Sequence, residues 1–426
     1  MTALSVIALV LLAMAGAPLF VVILAAAMLG FYLADIPLAA ITIEIYRIAD
    51  TPLLIALPLF TLTGYLLAES RTSERLVAVS QALIGWLPGS LAIVAFISCA
   101  LFTAFTGASG VTIVAMGALL YPALQQVGYP SRFSLGLITS SGSLGLLLAP
   151  SLPLILYGII AQQMGVGTPF SIQDLFIAGL LPALLMIVLL SAYSLWHTRH
   201  TPISRQPFSR DAVKRALWQA KWEVPLPFII LFGIYSGWFA LSETATIALL
   251  YVLVVEVLIY REIGWRELPL IVQKSMTMVG GIIIILAVSL ALTNVLIDAQ
   301  IPTRLFDIMQ EHVSSKLMFL ILLNLLLLVL GAFLDIYAAI VIIVPIILPI
   351  AVSYDIHPIH LGIIFLANMQ IGYFTPPIGM NLFIASYRFN KPVTELYRAS
   401  VPFMLVLLLA VLVITYVPAL SMLFID

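Results

Sequence analysis

The sequence predicts an all-α polytopic membrane protein built as an inverted repeat, with two re-entrant helical hairpins and two discontinuous helices. Three observations lead to this fold class. The composition is strongly apolar, the apolar runs are long enough to cross a membrane, and glycine-rich breaks recur in the same order in both halves of the chain. Inverted repeats with discontinuous helices are typical of secondary transporters.

The composition excludes several classes of protein. Of the 426 residues, 63% are hydrophobic and 9% are charged, and the mean hydropathy is +1.19. Soluble domains carry roughly 25% charged residues, and their large surface must remain polar. An ordinary soluble enzyme, a disordered protein and a nucleic-acid binder are therefore excluded. The single cysteine, Cys99, also excludes a disulfide framework and a Cys-based metal site.

Conventional membrane spans are predicted where about 20 apolar residues can cross a hydrocarbon core of ~30 Å. The run Leu4–Ala34 is too long for one span and is interrupted at Gly16-Ala17-Pro18, so we expect two short spans there. The other conventional spans are Thr51–Ala68, Gln173–Trp196, Pro225–Ala240, Glu243–Tyr260, Ser275–Ile297 and Val401–Phe424.

The hydrophilic stretch His197–Trp222 predicts the orientation, because short loops rich in Lys and Arg stay in the cytoplasm. Alternating the spans outward from it places fifteen of the 18 basic residues inside. Arg47, Arg304 and Lys316 fall outside, as do both chain ends. The chain then divides into a first repeat, 1–196, a cytoplasmic basic loop, 197–222, and a second repeat, 223–426.

Two apolar stretches do not fit single spans. The run Leu91–Leu124 is interrupted at 106–110, and both of its flanks must be cytoplasmic. The economical solution is a helical hairpin that enters from the inside and turns back within the membrane. The run Leu317–Ile350, interrupted at 331–335, predicts a second hairpin whose flanks are outside.

The segments around each hairpin also repeat. A broken helix is predicted after each hairpin, at about 133–164 and about 358–387, with glycine-rich interruptions inside both. A short amphipathic stretch precedes each hairpin, beginning at Ser73–Val77 and at Pro302–Phe306. Such stretches are expected to lie along the membrane interface.

Four breaks at membrane depth predict two ion sites, because unwound backbone is tolerated there only where it is buried or lines a cavity. Backbone carbonyls and hydroxyls are hard ligands that suit Na⁺, whereas exposed N–H groups suit an anion. The bland alternative is that small residues merely let helices pack closely. Four symmetric breaks favour the ion sites. The first would use Thr106, Gly107, Ser109, Ser143 and Gly145, and the second Gly331, Asp335, Gly372, Thr375 and Pro376.

Asp335 is the one acidic residue predicted at a hairpin tip. Intramembrane acids are costly and usually functional, so ion binding is one interpretation and a structural helix cap is the other. Asp355 is expected in a solvated loop, and His357 and His360 are not expected to bind a metal. The sequence also contains no phosphate-binding loop, no catalytic motif and no cofactor motif. A membrane-embedded enzyme is a remote alternative, because clustered titratable residues are missing, and a channel is another, because the mirrored closed tips argue against a continuous pore.

Several motifs resemble the large permease subunit of tripartite ATP-independent periplasmic (TRAP) transporters over essentially the whole chain. They include FTAFTGASGVT at Phe102–Thr112, SSGSLGLLLAPSLP at Ser140–Pro153 and GAFLDIYAAI at Gly331–Ile340. The most specific is HPIHLGII…NMQIGYFTPPIGMNLF at His357–Phe383. The first tip departs from the family pattern, since Thr106, Ala108, Gly110 and Val111 differ from the more usual SGSSAAT.

The resemblance implies an elevator-type transporter of the bacterial inner membrane that imports organic acids with Na⁺. It also implies two partners, a small four-helix membrane subunit and a periplasmic substrate-binding protein. A stand-alone Na⁺/divalent-anion symporter has a similar architecture, but its Ser-Asn-Thr signature is absent from this sequence. A C4-dicarboxylate, a sugar acid, a sulfonate or a zwitterionic solute would each fit a substrate pocket lined by Ser, Thr and Asn. The substrate is expected between the tips, near Ser109, Ser141, Asn368, Thr375 and Asn381.

Overall fold

The computed structural model describes residues 2–48, 51–87, 89–199, 208–301, 304, 307, 313 and 315–425. These residues form helices, turns and loops, with no strand among them. Seven of the described helices are long and apolar enough to cross a membrane. They confirm an all-helical, multi-pass membrane protein. These helices are Ser109–Val127, Ile172–His197, Leu241–Ile259, Leu268–Asp298, Lys316–Phe333, Ile336–Ser353 and Val393–Tyr416.

Shorter helices occupy the remaining predicted spans. The stretch predicted as two short spans forms Thr2–Met14 and Leu19–Leu33, separated at Gly16, whose φ is +82°. The first conventional span is a 3₁₀ turn, Pro52–Ile55, followed by Ala56–Glu69. The span predicted to reach Ala240 is shorter than expected. Its helix, Pro225–Tyr235, ends just before Gly237, whose φ of +70° is incompatible with continuing a right-handed helix.

Both hairpins consist of two helices separated by a two-residue tip. The first hairpin comprises Ser90–Thr106 and Ser109–Val127, and the second comprises Lys316–Phe333 and Ile336–Ser353. At the first tip, Gly107 has a left-handed φ of +64° and ends the first arm. The glycine in the sequence therefore breaks the apolar run at the predicted place.

Both broken helices are interrupted as predicted. The first broken helix runs Ser131–Ser141, then a 3₁₀ turn at Leu144–Leu147, then Leu152–Met164. The second runs Pro358–Gly372 and resumes at Met380–Phe389. Each hairpin packs its second arm against the last part of the opposite broken helix. The two halves of the chain therefore interlock around their breaks.

A separate group of helices packs beside this interlocked core. The scaffold, as we call it, comprises Leu19–Leu33, Ala39–Arg47, Ala56–Glu69, Leu241–Leu253 and Leu268–Asp298, whose members pack on one another. Two of its helices meet the hairpins, one each. Gly64 approaches the first hairpin closely, since a Cβ there would lie 2.4 Å from the Phe105 carbonyl oxygen. Ser289 donates to the Val341 carbonyl of the second hairpin (2.9 Å).

The first amphipathic stretch forms an arm helix, Thr72–Ile84, which is bent by 76° from the preceding span. Arg75 anchors it through contacts to Glu223, to Glu262 (2.5 Å) and, at 3.6 Å, to Glu256. Burial raises the pKa of Glu223, although Arg75 opposes the shift. For Glu262, burial acts in the same direction, but the Arg75 hydrogen bond prevails and lowers the pKa. The second amphipathic stretch, Pro302–Phe306, lies outside the described residues apart from Arg304.

The predicted basic loop contains a helix, Arg210–Gln219. The Ser209 hydroxyl accepts a hydrogen bond from the Ala212 amide (3.3 Å) and caps its start. A capping serine before alternating charged and apolar residues stabilises such a helix locally. Residues 200–207 of the predicted loop lie outside the described residues. The cytoplasmic location of the loop and the division at 197–222 stay predictions.

Cysteine labelling tests the orientation. In a Cys99→Ala background, a Ser209→Cys variant should resist a membrane-impermeant maleimide in intact cells and react after permeabilisation, because the basic stretch is expected inside. Thr168→Cys is the matched control, since that exposed residue follows the first broken helix and is expected outside. Labelling of Ser209→Cys from outside intact cells would overturn the topology.

Candidate functional site

The two hairpin tips are in direct contact. The Tyr337 hydroxyl, in the first turn of the second hairpin's second arm, donates to the Gly107 carbonyl at the first tip (2.8 Å). Each tip is a place where one helix ends with carbonyls, and the next begins with N–H groups, that have no partner within their own helix. The fold therefore gathers four helix ends at one point.

At the first tip, Ser109 faces the opposite half of the chain. Its hydroxyl donates to the Asn381 side-chain oxygen (2.7 Å), and the Asn381 amide in turn donates to the Thr139 carbonyl (3.5 Å). Thr106 is fully buried, and its hydroxyl is 3.5 Å from the Ala108 amide. Of the residues predicted for the first ion site, Thr106, Gly107 and Ser109 thus lie together at the tip.

The break in the first broken helix packs against the first arm of the first hairpin. A Cβ on Gly145 would lie 2.1 Å from the Ala100 carbonyl oxygen, so only glycine fits. Ser143 points elsewhere, because its hydroxyl donates to the Gln370 carbonyl (3.1 Å). The link that sequence reasoning missed is Thr103, which donates to the Gly142 carbonyl (2.9 Å). Because Thr103 lies within an apolar run, nothing in the sequence around it indicated a contact with the broken helix.

The second predicted ion site is drawn together by two glycines. A Cβ on Gly372 would lie 2.4 Å from the backbone of Gly331, so the second hairpin and the second broken helix touch backbone to backbone. The Thr375 hydroxyl donates to the Ile371 carbonyl (2.9 Å), and the Gly379 amide donates to the Ala332 carbonyl (3.0 Å). Pro376 lies in the same break, before a cis peptide bond.

Asp335 caps the second arm of its hairpin. Its carboxylate accepts from the Tyr337 amide (3.0 Å) and from the Tyr373 hydroxyl (2.9 Å). Within the described part of the chain, no Lys or Arg lies within ion-pairing distance of it. The carboxylate is half-buried and borders a cavity. The cap is therefore present, and the negative charge is also available to a cation.

A cavity of about 750 Å³ lies between the hairpin tips and the scaffold. Two scaffold helices, Ala56–Glu69 and Leu268–Asp298, form one wall, and the two tips with the second broken helix form the other. Its lining residues are Tyr65, Ala68, Glu69, Gly107, Ala108, Ser109, Gly110, Val111, Val114, Ala115, Ala118, Lys274, Met278, Asp335, Tyr337, Tyr373, Met380, Ile384 and Arg388.

Two cations on the cavity wall were not predicted as site residues. Lys274 pairs with Glu69 within the scaffold (2.7 Å). Arg388 belongs to the second broken helix, and its Nε donates to the Val114 carbonyl (3.2 Å). Both residues were predicted only as cytoplasmic charges. The signal that could have identified Arg388 is its place in the last turn of a discontinuous helix.

The predicted substrate-binding residues lie in two environments. Ser109 lines the cavity, whereas Ser141, Asn368 and Asn381 are fully buried and Thr375 is not part of the wall. Most of their polar groups have partners inside the protein, whereas the buried Asn368 side-chain oxygen has no hydrogen-bond partner among the described residues. The Ser141 hydroxyl donates to the Ile138 carbonyl (3.1 Å), and the Asn368 amide donates to the Asn324 oxygen (2.6 Å). The predicted contacts of these residues with a substrate are therefore not available in this conformation.

Comparison with known proteins gives one family for nearly the whole chain. The family model described as "Tripartite ATP-independent periplasmic transporter, DctM component" matches residues 5–420. The C4-dicarboxylate TRAP transporter large permease protein DctM of Pseudomonas aeruginosa is 34% identical, over 90% of this chain and 88% of that protein. The Ectoine/5-hydroxyectoine TRAP transporter large permease protein UehC of Ruegeria pomeroyi is 28% identical, over 97% of this chain and 96% of that protein.

One relative is much longer than this chain. The Isethionate TRAP transporter permease protein DctMQ of Oleidesulfovibrio alaskensis is 32% identical over 87% of this chain, and the match covers 58% of that protein. Among solved structures, the YdaH transporter of Alcanivorax borkumensis aligns with a TM-score of 0.62 at 13% identity. The alignment covers 88% of this chain and 86% of that one. At so low an identity the likeness shows a shared fold alone.

Proposed function

Because the chain belongs to the DctM family of TRAP transporters, in which it is a large permease protein, we propose that it imports an organic acid coupled to Na⁺. The observation that carries this proposal is the cavity between the hairpin tips and the scaffold. Its wall contains the cationic Arg388, the Asp335 carboxylate and the unwound backbone of the tips, so an anion and a cation could both be stabilised there.

The coupling ion would bind at the breaks. The contact of Gly331 with Gly372 places the end of the second hairpin's first arm beside the break after Gly372. Helix-terminal carbonyls there, together with the Asp335 carboxylate, are hard oxygen ligands of the kind that alkali and alkaline-earth cations prefer. A cation at this place would also compensate a carboxylate that has no basic partner within the described residues.

The transport step would be an elevator movement. The scaffold and the interlocked core are separate groups of helices that meet at the two hairpins, and the cavity lies along the boundary between them. Displacing the core, with its hairpins and broken helices, would carry a bound solute along the scaffold. The membrane would be the bacterial inner membrane.

Two partners complete the proposed system, a small four-helix membrane subunit and a periplasmic substrate-binding protein. The joint name DctMQ of the longer isethionate relative supports the first of them. During transport, a docked and loaded binding protein would then deliver the substrate to the cavity. A stand-alone symporter is the alternative, and the experiments below distinguish the two.

Na⁺ dependence is the central test. Proteoliposomes that contain the permease and its partners should accumulate the binding protein's own ligand under an inward Na⁺ gradient. Asp335→Asn should weaken Na⁺ activation about tenfold or more, because it removes a charged ligand whose contribution is about 1.5–3 kcal/mol. The fold should persist, since Asn caps a helix almost as well as Asp.

Asp355→Asn is the matched control for this substitution. Asp355 follows the second hairpin in a turn with a φ of +60°, which asparagine also tolerates, and it is not part of the cavity wall. Equal uptake with K⁺ replacing Na⁺ on both sides would refute Na⁺ coupling. Unchanged Na⁺ activation in Asp335→Asn at normal expression would leave Asp335 with its capping role alone.

A further inference from the structure

We propose that the cavity takes a monocarboxylate with an apolar, preferably aromatic, body, and that Arg388 binds its carboxylate. The inference rests on the proposed transport function and narrows the substrate to a chemical class. It differs from the solutes in the names of the relatives described above, which are small and strongly polar. Four features of the cavity wall support it.

The Arg388 guanidinium has hydrogen-bond donors that no described residue uses. Its Nε donates to the Val114 carbonyl (3.2 Å), which holds the guanidinium against the first hairpin. No hydrogen bond from its Nη groups, and no carboxylate within ion-pairing distance, is found among the described residues. A guanidinium in this state can bind a carboxylate with two parallel N–H donors.

The second cation on the wall is already neutralised. Lys274 lies 2.7 Å from the Glu69 carboxylate, so it offers no free charge to a second anionic group. The remaining charged residue on the wall is Asp335, which is acidic. A dicarboxylate would therefore place its second carboxylate beside Glu69, where like charges repel, or beside Asp335, whose charge the proposed cation only balances. One carboxylate is the number that the wall accommodates.

The hydroxyl groups on the wall are engaged. Ser109 donates to Asn381 (2.7 Å), Tyr337 donates to Gly107 (2.8 Å) and Tyr373 donates to Asp335 (2.9 Å). Tyr65 is directed toward the Met278 sulfur (3.6 Å). Because each hydroxyl proton already has an acceptor, these groups cannot donate to a polyhydroxylated solute as well. A sugar acid would find no free hydroxyl donor among these four groups and would lay most of its hydroxyls against a mainly apolar wall.

The rest of the wall is apolar and large enough for a ring. Side chains such as Val111, Val114, Met278, Met380 and Ile384 contribute most of it, and the tyrosine rings add aromatic edges. Methionine and tyrosine side chains suit flat, polarisable ligands. A volume of about 750 Å³ exceeds what a four-carbon acid would fill. Burial of an apolar body would thus supply the affinity that hydroxyl contacts cannot.

The test measures binding by the full chain in lipid nanodiscs, in buffers containing Na⁺. Phenylacetate, succinate and gluconate serve as probes. All three have a carboxylate, and they differ in carrying an aromatic ring, a second carboxylate or several hydroxyl groups. Phenylacetate should bind about tenfold or more tightly than either other probe, because its ring is buried without unsatisfied groups. Arg388→Gln should weaken phenylacetate binding about tenfold or more, and Arg388→Lys should restore part of it.

Arg398→Gln is the matched control, since Arg398 is another exposed arginine in the same half of the chain and does not line the cavity. Tighter binding of succinate or gluconate would overturn the proposed substrate class. Unchanged phenylacetate affinity in Arg388→Gln would overturn the role of Arg388. If none of the probes binds, this inference fails. The proposed transport function is tested separately, by Na⁺-driven uptake of the binding protein's ligand.

Discussion

Replacing Gly372 with alanine is expected to destabilise the protein and to abolish transport. The added Cβ would lie 2.4 Å from the Gly331 Cα and carbonyl carbon, and 2.8 Å from the Gly331 oxygen. These are backbone atoms, so neither partner can turn aside, and overpacking of this kind costs about 1–3 kcal/mol. The second hairpin would separate from the second broken helix, which would also disrupt the proposed ion site. Thermal unfolding in detergent and Na⁺-driven uptake are the measurements.

Gly281→Ala is the matched control. Gly281 lies inside the scaffold helix Leu268–Asp298, and among the described residues nothing beyond the backbone of its own helix lies within 4 Å of an added Cβ. Alanine should therefore be neutral or stabilise the helix by up to about 1 kcal/mol. If Gly372→Ala unfolds at the same temperature as Gly281→Ala and transports normally, the backbone contact of Gly331 with Gly372 is not needed for either property.

Proteoliposomes that contain this chain alone are expected to show no uptake above background. The physical reason is that no described segment on the predicted outer side is large enough to form a capture domain. The connection after the first broken helix, for example, is only the short turn between Met164 and Ile172. Such loops cannot enclose a solute, so capture would depend on the binding protein. Movement of the core would depend on a scaffold that the small subunit completes.

Restoring the partners one at a time supplies the control. Uptake should appear only when both the small membrane subunit and the ligand-loaded binding protein are present. Addition of the binding protein without ligand should leave uptake at background. Robust Na⁺-driven uptake by the chain alone would instead favour the stand-alone symporter, and it would leave the Na⁺ sites intact as a proposal.

The fold was largely predictable because its signals are local. Apolar runs reveal the spans, and glycine with proline or serine reveals where the helices break, since these residues remove or weaken helical hydrogen bonds over a few positions. The predicted tip around Gly107 and the break in 358–387 both occur in the structure. The span predicted to Ala240 was wrong in length, because apolar composition continues past a glycine that ends the helix.

The candidate site was predictable in part. Gly331 and Gly372 were paired from symmetry, and the structure places them in contact. The predicted substrate contacts stay predictions, and among them the Asn368 amide donates to the buried Asn324 oxygen and does not line the cavity. Polar residue type identifies a candidate, but whether its side chain is free depends on partners that are far away in sequence.

By itself, the sequence determined an all-helical membrane protein with two hairpins, two broken helices and the family to which it belongs. These properties follow from residues that act on their immediate neighbours along the chain. Only the tertiary structure decided which polar groups remain free. The Arg388 guanidinium can bind an anion because only its Nε is used, in a hydrogen bond to the Val114 carbonyl. Lys274 is instead paired with Glu69 from another helix. Charge and hydrogen bonding act through space over a few ångströms, so the packing of distant segments decides what a site can bind.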